Sequence, residues 1–221
     1  MLKIQDSTIT TAAASAVYYT GKNAGSSLSI TGANTQITAT GADAVVIAGG
    51  KAATIGNGVK ITAKSASKNG ITVNGGGALT IGSATVLANG AGGIGLYATG
   101  AGSTITATGT RIQTTGATSA EAVSVSGGAS VVLNNVNIST VSSNGHGVWL
   151  VGAGSSVQMN AATSISTTGK GAYGVLAESG ATKTFTGGNS ADALPGTMSI
   201  QGDGSAAFGT YGSNSKLRLT G

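Results

Sequence analysis

The chain has 221 residues, including 39 glycines, one proline and no cysteine, and only 8% of it is charged. Without cysteine there are no disulfide staples or thiolate metal sites, so a continuous apolar core has to hold the fold. A formal charge of +5, from 11 Lys and Arg against 6 Asp and Glu, is too thinly spread for a strong nucleic-acid binder.

Hydrophobic residues make up 40% of the chain, and the larger ones, Val, Ile and Leu, recur at intervals of two, a strand pattern and not that of a flexible linker. Apolar runs such as Ala44–Ala48 stop at glycines, well short of the ~20 residues of a membrane helix, so this segment is not expected to insert into a membrane. The opening Met1-Leu2-Lys3-Ile4-Gln5-Asp6 lacks the charged-then-apolar order of a secretory signal.

From Ile4 onward three interleaved apolar columns run the length of the chain. The first holds Val17, Val45, Ile71, Ile94, Val123, Val148, Tyr173 and Phe208. The second holds Ile4, Ile30, Ile55, Ile81, Ile105, Leu133, Met159, Phe185 and Leu219. The third holds Ile9, Ile37, Ile61, Val86, Ile112, Ile138, Ile165 and Ile200. Members are 23 to 29 residues apart until the last interval of each column, which lengthens to 34 or 35.

Around the column positions apolar and polar residues alternate, as in Leu28-Ser29-Ile30, Leu79-Thr80-Ile81, Val123-Ser124-Val125 and Leu217-Arg218-Leu219, so one face of each strand points inward. The Gly-Gly, Asn-Gly and Gly-Ala pairs between strands suit tight corners and leave no room for crossover helices. The fold this predicts is all-β: a right-handed, three-sided parallel β-helix of about eight rungs of roughly 25 residues. At ~4.8 Å per rung it is a prism roughly 40 Å long. Propellers, with four strands and ~40 residues per blade, and collagen, with glycine at every third residue, do not match.

The lengthened last intervals overlap only between Phe185 and Ile200, which predicts a corner-loop insertion at 187–196 in an otherwise single domain spanning 1–221. Asn189 and Asp192 are its candidate contact residues. The chain begins partway through a rung and ends on the bare strand Leu217-Arg218-Leu219, as an excised piece of a longer solenoid would.

Units such as Asp43-Ala44-Val45-Val46-Ile47-Ala48-Gly49-Gly50, Ala53-Thr54-Ile55-Gly56-Asn57-Gly58, Val59-Lys60-Ile61-Thr62-Ala63, Gly128-Ala129-Ser130-Val131-Val132-Leu133-Asn134 and Gly145-His146-Gly147-Val148-Trp149-Leu150 resemble the passenger domains of bacterial autotransporters, in the pertactin-like or adhesin branch. The resemblance covers the whole chain and is specific for architecture more than for activity. It implies export across the outer membrane of a Gram-negative cell, anchoring through a C-terminal barrel that this chain does not contain, and a role in adhesion, aggregation or host contact.

Catalysis is not expected. The six carboxylates, Asp6, Asp43, Glu121, Glu178, Asp192 and Asp203, are scattered; Asp43 and Glu121 fall three rungs, ~14 Å, apart, too far to act as a pair. Asp203 in Gln201-Gly202-Asp203-Gly204 is not part of a calcium-binding repeat. His146, the sole histidine, sits in the corner Asn144-Gly145-His146-Gly147 and reads as an exposed turn residue, and no cofactor is implied.

Binding is the better prospect. Lys60 and Lys64 flank inward Ile61 and face solvent, with Lys51 and Lys68 in nearby corners and Arg111 in the position of Lys60 two rungs on. Such a patch suits sulfated or acidic glycans of a host surface or matrix protein; solvent-facing lysines also protect sheet surfaces from unwanted pairing. Trp149 and Tyr18 point out of the first sheet five rungs, ~24 Å, apart, as separate exposed aromatic contacts. Outward Thr and Ser on the third sheet, in Thr38-Ala39-Thr40, Thr106-Ala107-Thr108, Thr114-Thr115 and Ser166-Thr167-Thr168, leave self-association of two prisms open as an alternative, but are too irregular for an ice-binding array.

Overall fold

The computed structural model describes residues 1–23, 25–49, 52–186 and 192–220. These residues form 25 short strands and no helix. Every strand pairing is parallel, each strand lying beside its equivalent one turn away, so the chain coils as a three-sided β-helix with about 26 residues per turn. The first and third columns each build an eight-stranded sheet; the second builds a seven-stranded sheet and a detached pair, Thr182–Thr186 with Lys216–Thr220.

Alternation is what the packing required. In Leu28–Thr31 and Ser130–Asn134 Leu28, Ile30, Val131 and Leu133 are buried and their neighbours, Val132 among them, half-exposed, and the inward residues of successive turns stack into one apolar core. Ile30, Ile61, Ile71, Ile81, Ile112 and Leu133 are sealed from solvent. Burying such a side chain contributes about 1.5–3 kcal/mol, none of it available to a turn without neighbours.

Four column members sit two residues from where the spacing predicted them. The first-column partner of Ile71 is Leu96, not Ile94, and that of Val148 is Val175, not Tyr173. In the second column Ala107, not Ile105, stands between Ile81 and Leu133. In the third, Met198, not Ile200, pairs with Ile165. A shift of two keeps a residue on the same face, so alternation alone does not resolve it.

The hydroxyl array differs as well. Thr106 and Thr108 belong to the second sheet, not the third, and Thr114 and Thr167 point into the core. The Thr114 and Thr140 hydroxyls both donate to the Ala120 carbonyl, at 2.7 and 3.0 Å, which satisfies them there.

Corners use glycine for two different reasons. Gly58, with φ of 80°, makes a turn that a side chain would strain. Gly95 has no such dihedral; a Cβ there would lie 2.5 Å from the Ile112 Cγ2 and 2.6 Å from the Ala122 carbonyl oxygen, so two turns approach through the missing side chain.

The second sheet breaks one strand ahead of the predicted corner loop at 187–196. The seven-stranded sheet ends at Ser156–Met159, and the next strand, Thr182–Thr186, pairs only forward. Beyond it Thr186 bridges to Ala193 and the chain rejoins the third sheet at Thr197–Ile200. Of the predicted loop, residues 187–191, Asn189 among them, lie outside the described residues.

Candidate binding surfaces

The strand Lys60–Ala63 shows why two lysines meet on one face. Ile61 and Ala63 are buried, so Lys60, Thr62 and Lys64 project outward together. Their neighbours on adjacent turns are Gln36 and Thr38 on one side and Thr85 and Leu87 on the other. Between them runs a shallow groove of about 320 Å³ lined by Gln36, Thr38, Lys60, Thr62, Lys64, Leu87 and Asn89. No carboxylate lines it, and neither lysine joins an ion pair among the described residues. Two ammonium groups thus converge on a polar trough with their charge unneutralised.

The other predicted basic residues do not join them. Arg111 does stand in the Lys60 position two turns on, the order being Lys60, Thr85, Arg111, but it lies outside the groove and its Nη2 donates to Gln113 Oε1 at 3.4 Å. Lys68 is half-buried in the corner between the third and first sheets. Lys51 lies outside the described residues.

Tyr18 is an exposed aromatic, as expected, at 65% exposure. Trp149 does occupy the same outward column five turns later, yet it is only half-exposed: its Nε1 donates to Glu178 Oε2 at 2.9 Å and its ring meets that of His146 edge-on at 6.4 Å. The indole is therefore engaged within the chain. Asp192 is likewise engaged, in an ion pair with Lys183, and with it lines a polar groove of about 440 Å³ beside the sheet break.

His146 is the clearest correction. It is buried, at 9% exposure, because Trp149 and Tyr173 cover its ring. The Tyr173 amide donates to its Nδ1 at 3.1 Å, leaving the ring proton on Nε2, and burial pushes its pKa down to about 4. Backbone hydrogen bonds align it with Glu121 one turn earlier and Tyr173 one turn later, in a column at the corner before the first sheet. Glu121, at 6% exposure, is pushed up to about 7 by burial, against a smaller opposing contribution from its own backbone hydrogen bond. Trp149 comes from the same turn, three residues on, but the Tyr173 ring that completes the cover comes from the next turn, 27 residues away.

In the same column Asp43 is tied down. It accepts from the Asn69 amide at 2.8 Å and from the Thr72 hydroxyl at 2.6 Å. Asp43 pins a corner, Glu178 holds an indole, Asp192 pairs with a lysine and Glu121 is enclosed. No group of three or more His, Asp or Glu gathers in a metal-binding cluster among the described residues.

Fold and surface define the class: an all-β parallel solenoid carrying shallow polar grooves on its outer sheets. No protein-family model matches the chain, and neither does any characterised protein or solved structure at a significant level.

Proposed function

We propose that this chain is a non-catalytic adhesion and stalk module of an autotransporter passenger, displayed on a Gram-negative cell surface through a C-terminal barrel outside this sequence. It contacts acidic glycan, free or carried on a host matrix protein, at the groove under Lys60 and Lys64. One observation carries the reading: two ammonium groups without an ion-pair partner among the described residues share one polar groove on an unbroken sheet, with no carboxylate in its lining. The dispersal and prior engagement of the carboxylates supports the non-catalytic part, since glycosidic cleavage uses two carboxylates flanking one bond. The resemblance in sequence units to adhesin passengers supports the setting.

Exposed charge pairs of this kind bind weakly and are screened as the Debye length falls from ~10 Å at 0.1 M salt to ~3 Å at 1 M. On a heparin column the native chain should be retained and then released by salt, and the Lys60→Ala/Lys64→Ala variant should elute clearly earlier. Arg111→Ala, two turns away, should shift elution less. Coelution of the native chain and the double variant at the same low salt would remove the glycan reading and leave the lysines as solubilising surface.

A further inference from the structure

A third groove, of about 390 Å³, opens on the first sheet roughly four turns from the lysines Lys60 and Lys64, ~19 Å along the axis. It lies over the strands Tyr173–Glu178 and Ala206–Tyr211, where Leu176 pairs with Gly209 and Glu178 with Tyr211. Its floor is aromatic. A Cβ at Gly209 would meet the Tyr173 ring at 2.5 Å, so the missing side chain lets that ring lie down across the neighbouring strand. Tyr211, 70% exposed, forms one wall, and His146, Asn144 and Thr210 supply polar edges.

Glu178 sits beside this floor with its carboxylate already oriented. The Trp149 indole holds Oε2 at 2.9 Å, which leaves the other oxygen as an acceptor, and no Lys or Arg pairs with it among the described residues. No Lys or Arg lines the groove. The volume is at the low end of the ~300–1,000 Å³ typical of small-ligand sites.

An apolar ring floor edged by a fixed carboxylate and side-chain amide and hydroxyl groups matches a ligand with one apolar face and a rim of hydroxyls. We propose that this groove binds a neutral pyranose saccharide, one sugar ring resting on Tyr173 against Tyr211 and a ring hydroxyl donating to Glu178. The unpaired carboxylate repels sulfated or uronic sugars, so the ligand class differs from that of the basic groove.

Trp149, the only tryptophan, is hydrogen-bonded to Glu178 and reports on the site. The full chain is titrated with cellohexaose and with the N-acetylglucosamine tetramer at millimolar concentrations while indole emission is followed. At least one should shift the emission, with an affinity insensitive to salt. Tyr211→Ala, at an exposed position, should weaken binding about tenfold, the scale of a lost ring contact. Glu178→Gln, whose amide oxygen still accepts from the indole, should also weaken it. Lys60→Ala/Lys64→Ala should bind unchanged, which separates this site from the basic groove. Emission unmoved by both sugars, equal affinity in Tyr211→Ala with native circular dichroism, or a response to choline alone would overturn the proposal.

Discussion

The middle turns and the last turns follow one plan but close it to different degrees. From Ile30 to Ile165 each inward side chain has a neighbour above and below, and the core residues there are almost fully enclosed. After Met159 the second sheet breaks, Lys183 occupies the same side of its strand as buried Phe185, and Met198, Phe208 and Leu217 are only partly covered. Burial in a solenoid is thus a property of adjacent turns rather than of a residue type. Both candidate grooves exploit this. The basic one sits on an unbroken sheet, where only outward side chains vary; the aromatic one lies toward the loosened end, where a bare Gly209 lets a ring spread.

The largest expected effect comes from breaking the enclosed part. Ile81→Asp or Ile112→Asp places an unpaired charge in a sealed ladder and should destabilise by roughly 3–5 kcal/mol, read by urea unfolding. Thr106→Asp, half-exposed, and Leu219→Asp, 52% exposed, should each cost well under half of that. Equal losses for all four would mean that enclosure does not distinguish the two regions.

Next in size is the corner column, through its pH dependence. Burial pushes the Glu121 carboxyl from 4.5 to about 7. Below 4.5 both folded and unfolded states are protonated; between 4.5 and 7 the unfolded chain releases its proton first and stability falls; above that the folded state carries a cost of about 3 kcal/mol. His146, held at about 4 against 6.5, acts in the opposite sense: its contribution is complete above 6.5 and is lost as pH falls through 4. Between 4.5 and 6.5 the two slopes oppose each other and nearly cancel. Glu121→Gln should gain about 3 kcal/mol relative to the native chain on going from acid to mildly alkaline pH, measured by denaturant melts at both. A pH-independent difference would show that the carboxyl is solvated.

The smallest effect belongs to the sheet break. Lys183→Met removes an ion pair whose aspartate is 41% exposed and adds an apolar side chain on the Phe185 side, so stability should stay level or rise by up to about 1 kcal/mol in thermal melts. A loss above that would make the Lys183–Asp192 pair a clasp at the sheet break.

Much of the fold was legible because it is written in repetition. Three apolar columns at a constant spacing stack as parallel turns when the corners are too short for helices. The outward projection of Lys60 and Lys64 and the match of Arg111 to Lys60 followed from alternation alone. The slips at Ile105 and Ile200 have the same origin, since a two-residue shift leaves the inward pattern unchanged, whereas Ile94 and Tyr173 fall at the corner leading into the first sheet, two residues before the inward position.

The aromatic groove was not legible, although Trp149 and Tyr18 were both singled out. Trp149 meets its carboxylate partner 29 residues away, and the Tyr173 ring finds its bed at a glycine on the next turn.

By itself the sequence determined that aliphatic columns face inward and that successive turns stack in parallel, because strand alternation and chain spacing are local properties. Only the tertiary structure decided which polar side chains are enclosed, which lysine lies beside the core and which rings form a floor. Those outcomes depend on residues one turn above or below, some 25 positions distant along the chain yet ~4.8 Å away in space.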